Sequence, residues 1–140
     1  DVIQEGYRQI PFLHEEYQQV LSESSLVISR SGATALADFI EMEVPSILLP
    51  IPLQASRGDQ FENAKYLEKC GGAIVLDSNT ITSQQLLEAI GATLEDSKTL
   101  KRMRDDLKAL KGERSEVKIT RLIIDTYVEK NGNIQGYVEL

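Results

Sequence analysis

The sequence predicts an α/β domain: a Rossmann-like parallel sheet with helices on both faces. Three observations carry that prediction. Short, continuously apolar runs, "LVIS" (26–29), "PSILLP" (45–50) and "AIVL" (73–76), recur along the chain. Apolar at nearly every position, they suit strands covered on both sides rather than strands with one wet face. Between them lie segments of helical period and crossover length, with no hairpin turn read between the strands, which implies parallel βαβ units.

The elements follow in order. "VIQEGYR" (2–8) is a weak first strand. "LHEEYQQVL" then places Leu13, Tyr17, Val20 and Leu21 on one face of a helix. After "LVIS", Ala33, Leu36, Phe39 and Ile40 repeat at helical spacing. "PSILLP" is bracketed by prolines, which end helices and strands. A loop over 51–58 leads to Phe61, Ala64 and Leu67, a helix expected to stop at Gly71-Gly72. Thr82 with Gln85 three residues on is a capping box, opening a helix through Leu86, Leu87, Ile90 and Leu94. Leu100, Met103, Leu107 and Leu110 form the next stripe, and Val117, Leu122, Ile123 and Tyr127 the last. No repeat, low-complexity tract or linker interrupts residues 1–130, read as a single domain. The tail 131–140 reads equally as an edge strand, a packed extension or a frayed end.

Composition sets limits. With 140 residues, 41% hydrophobic and 26% charged, the chain is ordinary for one globular unit. A formal net charge of −7 argues against nucleic acid as a partner and against adhesion to anionic lipid. Cys70 is the only cysteine, so no internal disulfide is possible and a reducing compartment fits best. No apolar run is long enough to span a bilayer, and "DVIQEGYRQI" lacks a signal-peptide layout. The first residue is not methionine, as expected of a segment of a longer protein. No cluster of His, Cys and Asp has metal-ligand spacing, and no Gly-Lys-Ser/Thr phosphate loop is present.

Two stretches carry chemistry. "SRSGATALAD" (29–38) joins a strand to a helix through very small residues. In open α/β sheets ligands sit beyond the carboxyl ends of strands, where helix N-termini point. The first amides of such a helix lack intrahelical partners, and the macrodipole adds roughly half a positive charge. A diphosphate is the natural guest. Ser31 reads as the N-cap, and Gly32 and Ala33 keep side chains out of a ligand's way. Asp38 follows Thr34 by one turn, within reach of ribose hydroxyls. The competing reading is that the small residues only let helix and strand pack closely.

The second stretch, "QASRGDQFENA" (54–64), leads into a helix offering Asp59, Gln60 and Asn63. Gln60 and Asn63 are three apart, so their amides share one face, and amides with carboxylates suit sugar hydroxyls. The plainer reading makes Asp59 a first-turn acid complementing the helix dipole.

Together these motifs resemble one family. "ISRSGATALADF", "VPSILLPIP" and "DQFENAKYLEKCGGAIVL" are similar to the C-terminal, donor-binding half of the MurG-like peptidoglycan N-acetylglucosaminyltransferases, of GT-B fold. The specific parts are Ser29-Arg30-Ser31-Gly32-Ala33 and Gln60-x-x-Asn63-Ala64, within a likeness running from Pro11 to Tyr127. The resemblance implies a UDP-N-acetylglucosamine donor, transferred with inversion to a lipid-linked acceptor and needing no cofactor. By position, Leu13 would offer backbone groups to the uracil edge. The amides around Ser31, Gly32, Ala33 and Thr34 would face the diphosphate, and Asp38 the ribose. Asp59, Gln60 and Asn63 would contact the sugar, while Arg30 would brace the turn.

Departures accompany the likeness: Asp38 stands where the family has Glu, Ala35 where it has Thr, and Asp59 where it has Gln or His. The resemblance also implies an N-terminal acceptor-binding domain, in the same or a partner chain, absent from these residues. That domain would supply the general base, and it would hold a cytoplasmic protein at the inner face of the plasma membrane. Alone, this segment is expected to bind donor without transferring it. The alternative is a split or non-catalytic nucleotide-sugar-binding module docked on a partner chain. His14 and Cys70 read as a loop residue and a packing residue, not as base or nucleophile.

Overall fold

The computed structural model describes residues 2–52 and 58–112. The chain divides into two units, Asp1–Leu110 and Lys111–Leu140, and every element below belongs to the first. The stripe predicted over 117–127 and the tail 131–140 lie outside the described residues.

The element order is β1 (Val2–Gln4), β2 (Tyr7–Gln9), α1 (Tyr17–Glu23), β3 (Val27–Ser29), α2 (Ala33–Glu41) and β4 (Ser46–Leu48). It continues with α3 (Asp59–Lys69), β5 (Ala73–Val75), α4 (Ser83–Glu95) and α5 (Ser97–Leu110). Strands β3, β4 and β5 form a parallel sheet in that spatial order, with Ile28 opposite Ile47 and Ile47 opposite Ile74. All three residues of β4 are buried, so both faces of the central strand are covered. The α/β class and the parallel sheet stand as expected.

The amino end differs. Residues 2–8 were expected to form one strand without a hairpin, whereas β1 and β2 pair antiparallel around Glu5-Gly6, with Val2 opposite Gln9. Gly6 takes φ +73°, a left-handed conformation that glycine reaches at no steric cost. The first helical stripe is also shorter than its period implied. Helix α1 begins at Tyr17, leaving Leu13 in the preceding segment, and Val20 is exposed while Leu21 is buried.

One core joins the elements. Leu21 of α1, Leu36 and Phe39 of α2, Leu48 of β4, Ala64 and Leu67 of α3, Ala73 of β5 and Leu107 of α5 pack together with Val44. Helix α3 ends as the Gly71-Gly72 pair predicted: Gly71 (φ +84°) donates to the Glu68 carbonyl and Gly72 to that of Leu67. Helix α2 closes with the same Schellman pattern, but with Glu43 at φ +54° in the glycine position. From α5, Arg104 donates to the carbonyl of Ser24, which ends α1.

Candidate functional site

Strand β3 hands the chain to Arg30 and the small-residue turn, and α2 starts at Ala33 with Gly32 as its N-cap. Ser31 was expected in that role. Its hydroxyl instead turns inward, fully buried, and donates to the Gln60 carbonyl at 2.7 Å. No N-cap side chain therefore covers the first-turn amides of α2. A methyl group added at Gly32 would meet nothing within 4 Å among the described residues, and φ −65° there is open to any residue. Neither conformation nor packing among the described residues calls for glycine at position 32, so close packing of β3 and α2 does not account for it. Ala33 and Thr34 are both exposed.

The two motifs meet through a polar clasp. Asn63 Nδ2 donates to the Ser31 carbonyl at 3.1 Å, and Gln60 Oε1 accepts the Ile51 N–H at 3.3 Å. Arg30 Nη1 donates to the carbonyls of Leu49 at 2.8 Å and Pro50 at 3.4 Å, and Ser78 Oγ donates to that of Pro50 at 2.5 Å. The turn after β3, the segment after β4 and the first turn of α3 are thus held at one end of the sheet. Arg30 braces this end, the role read for it from sequence. Asp59 is exposed in the first turn of α3, beside Glu62, where both acids complement the dipole.

Asp38 lies one turn into α2, partly buried, and its Oδ2 accepts the Tyr17 hydroxyl at 3.3 Å. Burial pushes the Tyr17 hydroxyl above the ordinary tyrosine range, and the charge of Asp38 and the hydrogen bond to it add to the rise. Sequence periodicity assigned Tyr17 only to a buried stripe, and a polar tip aimed at a residue 21 positions away leaves no mark in that period. Leu13 is partly buried; its chain neighbours Phe12, 71% exposed, and His14 set their rings at a tilt of 56° with centroids 4.7 Å apart. His14 is exposed, and Cys70 caps the carboxyl end of α3, partly buried.

A cavity of about 370 Å³ opens beyond the carboxyl ends of β4 and β5. Pro50, Ile51, Pro52, Phe61, Lys65 and Asp77 are among its walls. Phe61 and Lys65 come from a different face of α3 than Gln60 and Asn63, but Pro50, Ile51 and Ser78 belong to the clasp as well as to the cavity wall, so the cavity adjoins the clasp.

Comparison with known proteins places the sequence and the fold. Residues 3–119 match the model of the glycosyltransferase family 28 C-terminal domain. A UDP-N-acetylglucosamine–N-acetylmuramyl-(pentapeptide) pyrophosphoryl-undecaprenol N-acetylglucosamine transferase of Oceanobacillus iheyensis is 36% identical over 119 residues, 85% of this chain and 32% of the relative. A transferase of the same description from Legionella pneumophila (strain Lens) is 38% identical over the same shares. The crystal structure of Acinetobacter baumannii MurG superposes with a TM-score of 0.70 at 26% identity, covering 81% of this chain and 32% of that one. The glycotransferase of kitacinnamycin, 23% identical with a TM-score of 0.59, shares the fold over 76% of this chain and 26% of that one. The fold is one shared with MurG and other glycosyltransferases. The chain belongs to the glycosyltransferase family 28 C-terminal domain family, and it spans about a third of the length of the curated relatives it matches (32%).

Proposed function

We propose that this chain is the donor-binding part of an inverting glycosyltransferase that uses UDP-N-acetylglucosamine or a related UDP-sugar and transfers to a lipid-linked cell-wall precursor. The observation that carries the reading is the open amino end of α2: glycine at the N-cap, no capping side chain, and clear space where a Cβ would stand. Amides there donate to a diphosphate, and the helix dipole favours its charge. The same groups stabilise the leaving diphosphate as the glycosidic bond to it breaks.

The remaining roles follow from position. Backbone groups of Leu13 meet the uracil edge. The turn from Ser31 through Thr34 holds the diphosphate, with the buried Ser31 hydroxyl fixing the turn. The Asp38 carboxylate accepts from ribose hydroxyls. Asp59, Gln60 and Asn63 face the sugar; the clasp that ties Gln60 and Asn63 to Ser31 couples sugar site and diphosphate site mechanically. Attack on the anomeric carbon needs an acceptor held in line and a base beside it. Both come from an acceptor-binding domain, in the same chain or a partner, so this unit alone binds without transferring.

Calorimetric titration with UDP and UDP-N-acetylglucosamine tests the reading. Both bind, and Gly32→Val, whose side chain enters the open space, weakens them by about tenfold or more. Asp38→Ala costs roughly tenfold, as loss of a hydrogen bond to a charged group does. No heat with either ligand overturns the reading in favour of a module without nucleotide binding. Binding that persists, with transfer restored only by a separate partner chain, identifies a split enzyme.

A further inference from the structure

Donor binding leaves the Tyr17 hydroxyl without a role. The Tyr17 ring packs against the core cluster, a task phenylalanine performs as well. What tyrosine adds is one oxygen, placed 3.3 Å from Asp38 Oδ2 across 21 residues of sequence. That separation exceeds the 2.5–3.0 Å usual for O–H···O pairs, so the contact contributes little to folding. Its effect is directional. An aspartate on a helix keeps two χ1 wells and a broad χ2 unless a partner selects one orientation, and Tyr17 is the partner shown for Asp38. A carboxylate has two oxygens. With Oδ2 turned to Tyr17, Oδ1 is left to accept from a ligand hydroxyl. Tyr17 also opens α1 directly after the segment carrying Leu13, so the pair joins that segment to α2.

We infer that Tyr17 is a positioning residue whose hydroxyl orients the Asp38 carboxylate toward the ribose hydroxyls of a bound nucleoside diphosphate, an inference resting on the donor-site reading above. Two consequences separate it from mere packing. The hydroxyl matters only for ligands that carry ribose hydroxyls, and only while Asp38 is present.

The experiment is a double-mutant cycle on the intact 140-residue chain, titrated with UDP and with 2′,3′-dideoxy-UDP. Tyr17→Phe weakens UDP by about three- to tenfold, the value of one hydrogen bond. It leaves the dideoxy analogue unchanged, and in the Asp38→Ala background it has no further effect on UDP. Equal losses for both ligands, or the same loss without Asp38, would show a structural role and overturn the inference. So would full UDP affinity in Tyr17→Phe, with the donor-site reading left intact. Failure of the unmutated chain to bind UDP removes that reading first and the inference with it. Should Tyr17→Phe not fold, the unmutated chain answers instead, through the ζ-carbon NMR signal of labelled Tyr17. That signal shifts on saturation with UDP and stays in place with the analogue, and a shift common to both ligands counts against the inference.

Discussion

Two glycines of this chain have opposite surroundings. A Cβ at Gly72 would lie 2.5 Å from Leu107 Cδ2 and 3.3 Å from Leu67 Cδ1, and both leucines are fully buried. Neither can retreat without disturbing the core, so Gly72→Ala costs about 1–3 kcal/mol, as overpacking does. Denaturant unfolding should show a lower midpoint with an unchanged slope. At Gly32 the same added carbon enters open space. Loss of a glycine N-cap there costs stability no more than about 1 kcal/mol, so the affinity lost by Gly32→Val is not a folding defect. The sequence announces both glycines but not this difference. Gly71-Gly72 reads as a helix stop from local chemistry alone, whereas the contact with Leu107 joins positions far apart in the chain. Ser31 shows the same limit. Local rules rank serine above glycine as a cap, and the tertiary bond to Gln60 overrides them.

At the scale of elements, signals confined to a few residues were the legible ones. The Thr82–Gln85 capping box forms in both directions, with the Gln85 N–H donating to Thr82 Oγ1 and the Thr82 N–H to Gln85 Oε1. The same logic starts α5, where Asp96 Oδ1 accepts the N–H groups of Lys98 and Thr99 and Oδ2 accepts the Thr99 hydroxyl. The bonds from Thr99 hold the Asp96 carboxyl below its ordinary value of 3.8. A carboxyl lowered on folding adds stability above its unfolded value and loses it as pH falls through the folded one. The advantage of the native chain over Asp96→Asn should therefore be level above about pH 4 and shrink on further acidification. Thermal unfolding followed by circular dichroism across that range checks this; a difference that does not vary with pH would mean the cap is not acting as a carboxylate. Two turns were less readable. Glu43 ends α2 in a left-handed conformation that sequence rules give to glycine or asparagine. Glu5-Gly6 folds back a segment whose apolar content reads as one strand.

For the whole molecule, charge and coverage bear on where the lipid-linked acceptor of the proposed reaction would be met. Twenty-two acidic residues against 15 basic ones give a net charge of −7, which an anionic bilayer repels. Among the described residues no helix is long and apolar enough to cross a membrane. The chain also spans 32% of the transferases it resembles, whose names specify an undecaprenol-linked substrate. On the proposed donor-site reading, contact with such a substrate falls to an acceptor-binding domain, and the net charge of this chain offers an anionic bilayer no electrostatic attraction. Co-sedimentation with phosphatidylglycerol vesicles checks this: the chain should remain in the supernatant at about 0.15 M salt. Removing salt lengthens the range of the repulsion, so retention in the supernatant should persist at low ionic strength, where a basic surface would instead begin to bind. Sedimentation that grows as salt is withdrawn would place membrane attachment within this unit, and the division of labour between donor and acceptor domains would have to be redrawn.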